Sequence, residues 1–146
     1  MESQLSTEPV KKPIKLDFKD SKYATGRRKR SIAKVWLKKG SGNIHVNGKK
    51  MVEYFKKQNL QTAIFRPLTV VDRKNEFDVR CSVKGGGLSG QAGAIVHGLS
   101  RAILLFEPDL KPTLKKEKLT TRDSRAVERK KYGRRKARRS FQFSKR

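Results

Sequence analysis

The sequence predicts an α+β fold of two layers, in which about four mostly antiparallel strands form a sheet covered on one face by helices. The chain has 146 residues, enough for one domain with a modest core. Apolar and polar residues alternate in residues 32–38 and 77–84, as expected of half-buried strands. Residues 92–106 instead carry apolar side chains at helical spacing, which predicts a helix that packs on the sheet.

The strands are predicted to form two pairs. Residues 32–38 and the short segment 44–46 are separated by a turn rich in glycine and serine, which favours a hairpin. Residues 68–72 and 77–84 are predicted to form the second pair, around a turn at residues 73–75.

Three helical segments are predicted between and after these strands. Residues 51–55 have the spacing of a short helix, and residues 60–65 predict a second one that ends before Pro67. The longest helix should follow Gly90, close at Pro108 and cover one face of the sheet.

The chain divides into three parts by composition. Residues 1–22 are polar and without period, so they are predicted to form a flexible extension, and they resemble neither a secretory signal nor a transit peptide. Residues 23–108 should form the globular domain, and residues 109–146 a basic C-terminal helix and extended tail. The single cysteine, Cys81, is predicted to be a core thiol, which fits a reducing cytosolic compartment.

The charge balance indicates a polyanionic partner. Lysine and arginine total 38 against 13 acidic residues, a net charge of +25 with a pI near 10.8. Residues 120–146 hold twelve basic and two acidic residues with few aliphatic side chains, so this tail should become ordered only on a partner. The absence of a long apolar run argues against a membrane.

Residues 85–90, Gly-Gly-Gly-Leu-Ser-Gly, satisfy the pattern of a dinucleotide-binding loop between a strand and a helix. That interpretation fails because no further strands are predicted after the helix. Free N–H groups at a helix N-terminus also attract an RNA phosphate, and a tight turn without any ligand is the simpler alternative.

Catalytic and metal-binding patterns are weak. The two histidines, His45 and His97, have no identifiable triad partners, and together with one cysteine they give no usual ligand spacing. The sequence therefore predicts no enzyme, no cofactor, no metal and no small-molecule substrate.

Two basic clusters favour RNA as the partner. Residues 27–30 read Arg-Arg-Lys-Arg, and residues 134–139 carry five more cations near Tyr132, Phe141 and Phe143. Arginine binds phosphate with two hydrogen bonds, and aromatic rings stack on unpaired bases. A merely solvated charged segment, and aromatic side chains that pack on protein, are the alternatives.

Three blocks of this chain, residues 24–30, 83–95 and 121–146, resemble the bacterial form of the family of the ninth small-subunit ribosomal protein. The resemblance implies a split β-α-β type domain on small-subunit ribosomal RNA in the head, beside neighbouring head proteins of a cytoplasmic ribosome. It also implies that the tail reaches the peptidyl-site tRNA, with Ser144, Lys145 and Arg146 at the anticodon stem-loop and a terminal carboxylate on Arg146. The candidate ribosomal RNA contacts are Arg27, Arg28, Lys29, Arg30, Lys84, Gly85, Gly86, Gly87, Ser89, Gly90, Arg122, Arg125, Arg129, Lys130, Lys131, Arg134, Arg135, Lys136, Arg138 and Arg139.

The chain departs from that family pattern in two places. The N-terminal extension is longer than in many bacterial relatives, and Ser140-Phe141 stands where an arginine-proline pair is expected.

Two rival hypotheses are a DNA-compacting protein, which explains the charge alone, and a nucleotide-dependent enzyme, which rests on the glycine motif alone.

Overall fold

A computed structural model describes residues 19–145, and the order of its strands differs from the order predicted from the sequence. The prediction of a flexible extension over residues 1–22 falls mostly outside this described part of the chain. Five strands form one sheet in the order β1-β2-β5-β3-β4. Their bounds are Lys22–Arg28 (β1), Ser31–Lys39 (β2), Ile44–Val46 (β3), Lys49–Lys50 (β4) and Phe77–Lys84 (β5).

The helices lie on one face of this sheet, as predicted. They are Met51–Tyr54 (α1), Gln58–Val70 (α2), Leu88–Phe106 (α3) and Lys111–Lys116 (α4), with a 3-10 turn at Pro108–Leu110. Helix α3 packs directly on β1 and β2, and α2 packs beside α3. The prediction of a two-layer α+β fold with a mostly antiparallel sheet is confirmed, because only the β3–β5 pair is parallel.

The predicted hairpin of β2 with β3 is wrong, because β5 lies between these two strands. The connecting loop wraps around the start of β5, where backbone N–H groups of Ser41 and Asn43 each donate to Asp78 Oδ1 at 2.9 Å. Burial raises the pKa of Asp78, but these hydrogen bonds outweigh burial and hold the pKa below its ordinary value. The loop therefore crosses β5, so that β3 pairs with the edge of β5 opposite β2.

The strand predicted at residues 68–72 is also wrong. Helix α2 runs through the buried Pro67 to Val70, and the chain then turns at Asp72, which has φ +55°. Ile64 and Leu68 are four residues apart and fully buried, so the gain from packing both against the core outweighs the missing hydrogen bond at Pro67. The helix predicted at residues 60–65 is confirmed but extends further.

Strand β1 was not predicted from the sequence. It pairs with β2 as an antiparallel hairpin, so the basic residues 27–30 end one strand and form its turn rather than precede the first strand. Helix α3 ends at Phe106 as predicted, but it begins at Leu88 rather than after Gly90, so residues 88–90 form its first turn. Cys81 is buried as predicted, and burial raises the pKa of its thiol to about 12.

Candidate nucleic-acid interface

Two of the predicted segments meet at one end of the sheet. We call residues 27–30 the basic turn and residues 85–90 the glycine loop. Ile32 at the start of β2 lies opposite Lys84 at the end of β5, which places the turn and the loop side by side. The buried Ser31 hydroxyl donates to the Gly85 carbonyl oxygen at 2.9 Å and fastens the two together.

The glycine loop is built mainly for a tight turn. Gly85 and Gly86 have φ values of +75° and +62°, and a Cβ on Gly86 would collide with the Ser31 hydroxyl. Gly87 differs, because a Cβ there would meet no atom within 4 Å among the residues that the structure describes. Gly87 is also the N-cap of α3, and no described side chain caps this end. The loop thus exposes backbone N–H groups that can bind an anion.

The start of the C-terminal tail, which we define as residues 120–146, lies against the same end of the sheet. The Asp123 carboxylate is 3.5 Å from the Arg28 guanidinium and accepts a hydrogen bond from Arg125 Nη2 at 2.8 Å. Hydrogen bonds from Arg125, together with the charge of Arg28, hold the pKa of Asp123 well below its ordinary value. A cleft of about 540 Å³ is lined by this segment together with the basic turn, α2 and α3.

His97 on α3 forms hydrogen bonds to β1 and to the start of the tail. Its Nδ1 accepts a hydrogen bond from the Arg27 backbone N–H at 3.2 Å, and its ring also bonds to the backbone of Thr120. Burial and the nearby charge of Arg101 lower its pKa, so the ring is neutral at pH 7. Arg101 donates to the Thr25 carbonyl oxygen at 2.7 Å.

Neither His97 nor Arg101 was predicted to belong to the site. Their spacing of four residues puts both on one face of α3, which was the available signal. Their partners on β1 could not be identified, because that strand was not predicted.

Beyond this anchored start, the tail contacts itself. Through residue 145 it contains no helix or strand, and Tyr132 and Phe143 are fully or almost fully exposed. Its hydrogen bonds are local: Arg138 Nε donates to Glu128 at 2.9 Å, and Arg134 Nη1 donates to the Ser140 hydroxyl oxygen at 2.9 Å. The Arg135 guanidinium lies 5.5 Å from the Phe141 ring centroid, so both residues of the unusual Ser140-Phe141 pair have partners.

The structure thus divides the predicted residues into two groups. One group lies at the shared end of the sheet and at the start of the tail: Arg27, Arg28, Lys29, Arg30, Lys84, Gly85, Gly86, Gly87, Ser89, Gly90, Arg122 and Arg125. The other is spread along the exposed tail: Arg129, Lys130, Lys131, Arg134, Arg135, Lys136, Arg138, Arg139, Ser144 and Lys145. Arg146 lies outside the described residues.

Other kinds of site find little support in residues 19–145. No group of three or more histidine, cysteine or carboxylate side chains is placed there to hold a metal ion. No strand follows α3 in this part of the chain, which is the feature that a dinucleotide fold would need. No described helix is long and apolar enough to cross a membrane.

Comparison with protein families gives a match that covers both groups of residues. The model of the family described as ribosomal protein S9/S16 matches residues 26–146, which include the basic turn, the glycine loop and the whole tail. Members of this family are structural proteins of the ribosome that bind ribosomal RNA and take part in translation. With five sixths of its length matched by that model, this chain belongs to the ribosomal protein S9/S16 family.

Proposed function

We propose that this chain is the S9-type protein of a bacterial small ribosomal subunit, fixed on ribosomal RNA in the head, with a tail that reaches the peptidyl-site tRNA. One observation carries the proposal. The domain anchors only the start of a strongly basic tail, whose remaining described residues are mostly exposed and form hydrogen bonds with one another. Such a segment has the charge and the reach to follow RNA away from the domain.

The shared end of the sheet is the proposed attachment to ribosomal RNA. The basic turn offers guanidinium groups next to the uncapped N-terminus of α3, so side-chain charge and backbone N–H groups point to the same region. The open side of Gly87 leaves room for a phosphate to approach the backbone closely. Neighbouring proteins of the head and a cytoplasmic ribosome complete the proposed setting.

The tail is proposed to become ordered along RNA, with Ser144, Lys145 and Arg146 on tRNA phosphates. The ion pairs of Arg138 and Lys131 with Glu128 are exposed to solvent, since 86% of the Arg138 side chain and 41% of the Lys131 side chain are accessible. Exposed ion pairs are weak, so RNA phosphates can replace Glu128 as the partner. In this function the chain binds and positions RNA, and it catalyses no reaction and needs no cofactor.

Deletion of Lys145 and Arg146 tests the proposed contact with tRNA. Two lost phosphate contacts at about 0.3–1 kcal/mol each predict roughly threefold to thirtyfold weaker retention of peptidyl-site tRNA on reconstituted small subunits. Assembly, measured by sedimentation, should stay unchanged, because the segments proposed to hold ribosomal RNA are intact. A double variant, Lys115→Gln with Lys116→Gln, removes the same charge from the exposed side of α4 and should change neither quantity. Equal loss of assembly and tRNA retention in the deletion would contradict a separate role for the tip.

A further inference from the structure

One face of the sheet is not covered by any helix among residues 19–145. Alternate residues of β2 are buried at Ser31, Ala33, Val35 and Leu37, where α3 packs. The opposite face, which we call the open face, carries the other members of each strand. These are Tyr23, Thr25, Arg27, Ile32, Lys34, Trp36, Lys38, His45, Asp78, Arg80, Ser82 and Lys84.

Positive charge dominates the open face. Five cations stand on three adjacent strands: Arg27, Lys34, Lys38, Arg80 and Lys84. Asp78 is the one carboxylate on these strands in that set, and the loop before β3 already bonds to it. A surface with this balance attracts a polyanion.

An aromatic pair lies in the middle of these cations. Tyr23 and Trp36 are opposite each other in the β1–β2 register, with ring centroids 5.3 Å apart, and Tyr23 is 45% exposed. The Arg80 guanidinium on the next strand lies 5.8 Å from the Trp36 ring centroid. Two rings and one planar cation thus form a row across three strands.

From this arrangement we infer that the open face binds an unpaired segment of RNA, with a base stacked on the Tyr23–Trp36–Arg80 row and flanking phosphates at Lys34 and Lys84. Rings and guanidinium planes stack on bases, while lysines neutralise phosphate. Lysine is depleted in protein–protein interfaces, whereas this face carries three lysines, and Ile32 is its one exposed aliphatic side chain. The balance therefore favours RNA over a protein partner. The inference is independent of the tail and of its proposed contact with tRNA.

Trp36 is the only tryptophan in the chain, so its fluorescence reports on this face alone. The full chain is titrated with a single-stranded RNA of about a dozen nucleotides and with an abasic strand of equal length. The salt concentration is set high enough to weaken the tail's phosphate contacts. Binding itself is followed by anisotropy of the labelled strand.

The single-stranded RNA should quench Trp36 emission at least twofold at saturation, and the abasic strand should leave it almost unchanged. Tyr23→Leu should weaken binding of the single strand by at least about fivefold, the loss expected of one stacked base at the lower end of the usual range of about 1–3 kcal/mol. Lys34→Gln should weaken binding of both strands more than Lys115→Gln, a control of equal charge on α4. Saturation by single-stranded RNA without a change in emission would overturn the inference.

A second experiment examines the assembled ribosomal subunit. Ultraviolet irradiation followed by mass spectrometry should find a nucleotide attached to the peptide that contains Trp36 or Tyr23. Lys34 and Lys84 should also become open to acylation after ribonuclease treatment. Continued protection of both lysines after that treatment, with no nucleotide attached, would mean that a protein covers the face and would overturn the inference. Neither experiment changes Lys145 or Arg146 or measures tRNA, so failure here is distinct from failure of the proposed tRNA contact.

Discussion

The sheet and helix α3 lie close together at Gly26, and a substitution there gives a specific prediction of stability. A Cβ on Gly26 would lie 2.8 Å from Gly98 Cα and nearer still to Ala94 O and Gly98 N, all of them backbone atoms of α3. Carbon atoms at contact need about 3.5–4.0 Å, so Gly26→Ala must push α3 away from β1 by at least about 0.7 Å. That movement would loosen the packing of the buried Ile95 and Leu99 as well.

The expected loss in the free energy of unfolding is large because the added methyl group would contact backbone atoms. Overpacking of a core typically lowers the free energy of unfolding by about 1–3 kcal/mol, and backbone atoms cannot rotate aside, so we expect about 3 kcal/mol for Gly26→Ala. Urea unfolding of the full chain, followed by Trp36 fluorescence, is the measurement. With a slope of about 2 kcal/mol per molar urea, the midpoint should fall by about 1.5 M.

Two other glycines supply controls for this measurement. A Cβ on Gly98 would meet Val35 Cγ2 at 2.8 Å and the backbone N of Gly26 at 3.0 Å, which are longer distances than those at Gly26. Alanine also has a better helix propensity than glycine, so Gly98→Ala should destabilise less than Gly26→Ala. Gly87→Ala adds the same methyl group where nothing lies within 4 Å, so its midpoint should fall only by about 0.3–0.5 M, the cost of replacing glycine by alanine at the N-cap of α3. A Gly26→Ala midpoint within about 0.3 M of wild type would refute the reasoning, because the layers would then not be in backbone contact.

Two further predictions concern titration and salt. Because the pKa of His97 is lowered in the folded chain, the unfolded chain takes up the proton at a higher pH, and the free energy of unfolding should fall as the pH drops below about 6.5. Urea unfolding at several pH values should show a smaller fall for His97→Gln. A pH profile that is the same in the variant and the wild type would contradict this prediction. If about eight tail cations each neutralise a phosphate, removing residues 120–146 should reduce the slope of log affinity for ribosomal RNA against log salt by about 6–7 in filter binding, whereas an equal slope with and without the tail would count against that role.

Much of this protein could be predicted from short-range patterns. The alternation in residues 77–84 and the helical period of residues 92–106 identified β5 and α3, because burial of one side of an element leaves its period in the sequence. Composition alone separated the basic tail from the domain, since its few aliphatic side chains cannot form a core. The family resemblance is confirmed at the level of the S9/S16 family.

Only the tertiary structure decided which elements are neighbours. The alternation of apolar and polar residues shows which side of a strand is buried but not which strand lies beside it. The position of β5 between β2 and β3 therefore could not be predicted from the sequence. Local propensity likewise predicted that α2 ends before Pro67. In the structure the helix continues to Val70, because Ile64 and Leu68 pack in the core. The meeting of the basic turn, the glycine loop and the tail start, and the Tyr23–Trp36–Arg80 row, depend on contacts between distant residues, which a linear pattern of charge and hydrophobicity does not encode.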